Sequence, residues 1–157
     1  MRFKRTTRKP PVRGEAVKRN WKRIVPIFAV VLLVAIQLVP VDRSNPPVEA
    51  DLEAPPAVTA VLRQACYDCH SNETRWPWYS YVAPVSWLVA HDIEEARGEF
   101  SFSRWGRLGE RERAELRAEI WEEVEEGEMP LPIYRLMHSE ARLSQDQLDT
   151  VREWAMD

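Results

Sequence analysis

The run "IVPIFAVVLLVAIQLVPV", Ile24 to Val41, holds 18 residues without a charged side chain. It restricts the fold more than any other feature, because a helix apolar on every side has no polar stripe to turn to water. At roughly 1.5 Å per residue it would span about 27 Å, close to a hydrocarbon core. Gln37 is its one strongly polar member, and Pro26 and Pro40 sit near its ends. A cleaved leader would have an apolar region of about 7–15 residues and a small-x-small site. This run is longer, and "IQLVPVDRS" offers no such site. The run is therefore expected to be one uncleaved N-terminal transmembrane helix.

Charge divides at the same place. Residues 1–23 carry ten Lys/Arg and one acid, Glu15, which leaves 12 basic against 24 acidic side chains for the rest of the chain. The overall net charge of −3 thus hides a basic head and an acidic body. The positive-inside rule predicts a cytoplasmic head, residues 1–23, and an exported body, with Trp21 in the interfacial belt. An acidic body repels nucleic acid. The Pro-rich, Gly-free stretch 42–56 reads as a semi-extended linker, a tether between anchor and domain.

The domain, 57–157, shows helical periodicity and no convincing strand. Val58, Val61, Leu62 and Ala65 recur at helical spacing behind Pro55 and Pro56. A second helix is predicted from Pro84, with Val85, Leu88, Val89, Ile93 and Ala96 on one face. A third covers about residues 110–126, striped by Leu116, Ile120 and Val124 and stopped by Gly127. The last opens on a capping box, Ser144 and Gln147, with Leu143 and Leu148 at the staple positions; Val151, Trp154 and Ala155 then face inward. "FSFSRW" reads as a connector or a short helical turn, and "EMPLPIY", with its two prolines, as a loop. The expected fold is all-α: a small domain of about four helices. So small a unit has a limited core, which a large rigid apolar ligand would help to fill.

Both cysteines of the chain and one of its three histidines fall in "CYDCH", Cys66 to His70. Three chemistries compete for this window. A redox dithiol belongs at a helix N-terminus in an α/β fold, whereas here the pair ends a helix. Structural zinc needs four ligands, and Cys69 and His70 are awkward neighbours for one tetrahedral ion. Covalent haem uses both thiols as thioethers and the following histidine as proximal iron ligand. It leaves no spare thiol in an oxidising compartment, and it agrees with the all-α pattern. Cys66 and Cys69 are therefore read as haem attachment sites, His70 as the proximal iron ligand, and haem c as the one cofactor.

The distal position has several candidates. Met129 stands in "GEMPLP", an extended loop that can project a soft thioether at the iron, and is the preferred ligand; otherwise it is a gap-filling core methionine. Met137 and His138 are the runners-up. His91 and Met156 rank lower, one as a surface histidine and the other in a fraying terminus. Trp76, Trp78, Tyr79, Tyr81 and Trp87 either wall the haem pocket or simply pack, and Arg75 either meets a propionate or stays solvated.

In combination, "CYDCHSNETRWPWYSYVAPVSWLV", "FSFSRW", "GEMPLPIYRLMHSEARLS" and "REWA" resemble the haem-binding domain family of small bacterial monohaem c-type cytochromes. The resemblance covers about residues 58–155. It implies covalent haem at Cys66 and Cys69, proximal ligation by His70 and distal ligation by Met129, in a protein that is commonly anchored or exported. The expected function is that of a periplasmic electron carrier on the bacterial inner membrane, not an enzyme, exchanging electrons with other redox proteins. The rivals are a haem protein with an open sixth site acting on peroxide or a small gas, helped by His91 or Glu128, and a haem-based sensor. The short polar head leaves little room for a sensor's output domain.

Overall fold

The computed structural model describes residues 13–157, with side chains from Asn20 onward; most of the basic head lies outside the described residues. Their regular structure is all helical, with no strand among the described residues. The chain divides into two units at Pro40/Val41.

The first unit contributes α1, Arg13–Ile36. It stops five residues short of the end of the uncharged run. Beyond it Gln37, Leu38 and Val39 donate backbone hydrogen bonds three residues back, the tighter pattern common at helix ends. The Gln37 amide donates to the Leu33 carbonyl, and Pro40 has no N–H with which to continue. Among the described residues no helix is long and apolar enough to cross a membrane, so the predicted membrane helix is not found as a regular α-helix of that length.

The second unit holds α2 (Pro56–Ala65), α3 (Tyr67–His70), α4 (Val85–Glu99), α5 (Glu110–Glu125), α6 (Pro132–Met137) and α7 (Gln145–Met156). The four predicted helices are present as α2, α4, α5 and α7. Val58, Val61, Leu62, Ile120, Trp121, Val124, Val151 and Trp154 meet Phe102 and Trp105 in one core. Phe102 lies in the short 3₁₀ stretch Phe102–Arg107. The capping box forms as predicted: Ser144 Oγ accepts from the Gln147 N–H, and Gln147 Oε1 accepts from the Ser144 N–H.

Two expectations are corrected. The last three residues of "EMPLPIY", 132–134, are helical, not loop, and open α6. Pro132 sits in the first turn of α6, where a missing N–H costs nothing. The stretch 42–56 is a strap laid along the domain, not a tether. Leu52 is 7% exposed and belongs to the core. Glu49 and Ala50 N–H both donate to the Ser103 carbonyl, and Gly106 N–H donates to the Ala50 carbonyl. Gly106 is needed there, because a Cβ would meet the Ala50 Cβ at 2.9 Å. Arg97 on α4 clamps the strap from the other side, donating to Ser44 O, Asn45 Oδ1, Ser71 O and Thr74 Oγ1. The strap wins over the extended coil because its polar backbone is paired along its length while Leu52 leaves water.

Candidate functional site: a haem pocket

The CYDCH window is the joint between α2 and α3. Cys66 caps the end of α2 and precedes α3. Its carbonyl accepts from the N–H groups of both Cys69 and His70, which closes one tight turn. The two intervening residues hold this turn in place. Tyr67 stacks on Phe102 with ring centroids 4.8 Å apart and donates its hydroxyl to Asp51 on the strap. Asp68, only 8% exposed, accepts from the Arg75 N–H at 3.0 Å, from the Arg75 guanidinium, and from the Tyr134 hydroxyl at 2.8 Å. Asp68 thus joins the cysteine turn to α6.

The turn opens on a cavity of about 1030 Å³, and Cys66, Cys69, His70, Met129 and Met137 all line it. That is the upper end of the volume of small-molecule and cofactor sites, roughly 300–1,000 Å³. One wall is the apolar stripe of α4, Val85, Leu88, Val89, Ile93 and Ala96; another is Leu116, Ile120 and Val124 of α5. Val85 and Leu88 are exposed because their stripe faces the cavity and not a neighbouring helix.

His70 is 7% exposed and its ring lies on Phe100, centroids 4.2 Å apart and nearly parallel. Burial pulls its pKa down to about 4, although the backbone of Phe100 and Ala96 favours the protonated ring slightly. Its Nδ1 is buried with no hydrogen-bond partner of proper geometry. A neutral imidazole in an apolar cavity is the state in which a histidine ligates a metal. Burial also pushes the Cys66 thiol up to about 12 and the Cys69 thiol up to about 11. A redox dithiol requires the opposite shift. Among the described residues no group of three or more His, Cys, Asp or Glu is arranged to hold a metal ion.

The distal candidates separate by position. Gly127, at φ 76°, turns the chain at the end of α5, and the Met129 N–H returns to the Glu123 carbonyl at 3.0 Å. This return sets Met129 at the cavity wall, partly buried against the core. Met137 reaches the same cavity from α6. His138 does not line it: Nε2 is 2.7 Å from the Tyr79 hydroxyl, Nδ1 is 3.1 Å from Glu140, and Tyr134 stacks on the ring. His91 pairs with Glu95 on the surface of α4. Neither His91, Glu128 nor Met156 lines the cavity. Arg75 lines the cavity and pairs with Asp68, while 68% of its side chain stays exposed, as expected of a solvated arginine. Sequence reasoning missed Asp68 and Tyr134; a lone acid inside CYDCH and a tyrosine 66 residues away share no local signal.

The residues fit a large flat apolar macrocycle: the cavity is spacious and mostly apolar, with a buried neutral imidazole and two thioethers in its walls. Comparison with known proteins agrees. A family model described as haem-binding domain matches residues 31–157, whereas no curated protein and no solved structure matches the chain. The match spans most of the sequence, and the chain belongs to the haem-binding domain family.

Proposed function

We propose that this haem protein is a membrane-anchored monohaem c-type cytochrome that passes single electrons between redox proteins outside the cytoplasm. The observation that carries the reading is that Cys66, Cys69, His70 and Met129 line one apolar cavity. Cys66 and Cys69 would hold the porphyrin through thioethers, with His70 as proximal and Met129 as distal iron ligand. When bound, haem supplies a one-electron couple at the iron. The chain's own part is to keep His70 neutral and buried, to exclude water with the α4 and α5 stripes, and to hold Met129 by the backbone bond to Glu123.

Anchoring rests on the uncharged run 24–41 and its basic flank. The backbone ladder continues from α1 through Val39, so most of the run has its polar backbone satisfied, as lipid requires. Resistance of the native chain to alkaline carbonate extraction is the expected result, and release into the soluble fraction would refute the anchor. Potentiometric titration of the haem-loaded chain should give one reversible one-electron wave. Met129→Ala should abolish the near-infrared charge-transfer band of iron–thioether ligation and lower the midpoint. A band unchanged in Met129→Ala but lost in Met137→Ala would move the distal role to Met137.

A further inference from the structure

From Trp76 to Ala90 the chain carries no charged side chain, although the body around it is strongly acidic. The 3₁₀ turn Trp78–Tyr81, Val82 and the start of α4 leave six apolar or aromatic residues of this stretch exposed. Trp78, Tyr81, Val82, Val85, Trp87 and Leu88 are between 37% (Trp87) and 72% (Trp78) exposed. Three of them, Trp78, Val85 and Leu88, line the haem cavity, whereas Tyr81, Val82 and Trp87 do not. A ligand in the cavity would leave those three bare; Tyr81 and Val82, next to Trp78 along the chain, carry the face beyond the site already described, whereas Trp87 stands about 200° round α4 from Val85.

Chain continuity says what lies next to this face. Arg43 donates from Nε to the Ser80 carbonyl at 2.8 Å, and its guanidinium stacks 4.5 Å from the centroid of the Tyr81 ring. Arg43 is two residues beyond Val41, the end of the uncharged run. Two residues reach at most about 7 Å. The apolar run therefore leaves the domain at the edge of the Trp78–Leu88 face, whatever path it takes afterwards. The charges there also suit a lipid surface. Arg43 lies against Tyr81 of the face, and Asp42 is turned back to accept from the Ser44 N–H. Tryptophan and tyrosine, with an apolar body and a polar tip, prefer the headgroup zone.

We infer that the Trp78–Leu88 face docks on the lipid bilayer surface and holds the mouth of the haem cavity against the membrane. The inference rests on the anchor proposed above and deepens it: the domain is not a free body on a leash but one seated on lipid. Three residues at the face, Trp78, Val85 and Leu88, also belong to the cavity wall, so the seated orientation keeps that wall of the cavity at the lipid surface.

The test uses the full haem-loaded chain in phosphatidylcholine/phosphatidylglycerol vesicles doped with a lipid bearing a diazirine in its headgroup. After irradiation, adducts are mapped by peptide mass spectrometry. Adducts on Trp78–Leu88 and on the peptides covering 20–41, with yields on α5 and α7 several-fold lower, are the expected result. Adducts on 20–41 with none on Trp78–Leu88 would overturn the docking and leave the anchor standing. Adducts on neither segment would overturn the anchor, and the docking with it. A detergent-solubilised chain that migrates as a dimer, with Trp78–Leu88 protected from hydroxyl-radical oxidation only in the dimer, would assign the face to a second copy and likewise overturn the proposal.

Discussion

Leu52→Ala separates a strap from a tether. A leucine on a free Pro-rich linker sits in water in both folded and unfolded chains, and its truncation would change stability by less than about 0.5 kcal/mol. In the structure Leu52 is 7% exposed and packs in the core of the domain. Removing three buried carbons from such a site costs about 2–5 kcal/mol, the larger values applying where the surroundings cannot collapse. The strap is pinned on both sides of Leu52. Before it, Asp51 accepts from Tyr67 and Arg63, and Ala50 bonds Ser103 and Gly106; after it, the Ala54 carbonyl accepts from the Thr59 hydroxyl and the Pro55 carbonyl from the Thr59 N–H. It can therefore relax only partly, but it is one chain thick, which favours the lower half of the range, about 2–3 kcal/mol. For a domain near this size a loss of 1 kcal/mol lowers Tm by roughly 4 °C, so a fall of about 8–12 °C follows. Urea and thermal unfolding of the haem-loaded full chain, followed by circular dichroism and the Soret band, would measure it. Val48→Ala, at an exposed position of the same strap, supplies the control and should stay within about 0.5 kcal/mol. A Leu52→Ala protein as stable as the control would refute the strap and restore the tether.

Other outcomes follow from the same geometry. Gly106→Ala should destabilise by about 1–3 kcal/mol, because the new methyl meets the Ala50 Cβ and must push the strap away; chemical denaturation reads this directly. Tyr134→Phe removes a hydroxyl from the buried Asp68 carboxylate at 2.8 Å. A bond to a charged acceptor contributes about 1.5–3 kcal/mol, and with α6 loosened the iron–thioether band should fade at lower temperature than in the wild type. In haem-free folded protein at pH 8, burial keeps both thiols protonated, with pKa values of about 12 and 11. Against an ordinary thiol near 8.5, alkylation by iodoacetamide should be more than about a hundredfold slower, and should recover its normal rate in urea.

The sequence was informative wherever a signal is local. Helices α2, α5 and α7 could be read because Val58/Val61/Leu62, Leu116/Ile120/Val124 and Val151/Trp154/Ala155 repeat at helical spacing, and because Gly127 and Ser144 mark ends by backbone chemistry that needs no tertiary partner. The CYDCH window was legible as a site because two thiols and an imidazole at that spacing have few joint uses. Features that depend on distant partners stayed hidden. Leu52 looks like any residue of a Pro-rich linker until Val58, Phe102 and Trp105 assemble a core for it. Pro130 and Pro132 read as helix breakers, although Pro132 occupies the one place in a helix that tolerates it. Asp68 gives no local sign of its role because its partners Arg75 and Tyr134 lie on other elements. The apolar face of α4 was correctly placed on one side of that helix, yet periodicity alone says nothing of whether protein or cofactor covers it.

The central claim is that both thiols of CYDCH are joined to one haem. It is tested most directly by mass spectrometry of the chain matured with cytochrome c assembly machinery, with a pyridine haemochrome spectrum taken on the same sample. The account predicts a mass increase of one haem that survives denaturation, localised to the peptide containing Cys66–His70, with neither cysteine open to alkylation. A haemochrome lost on acid–acetone extraction, leaving two thiols that alkylate freely, would contradict it.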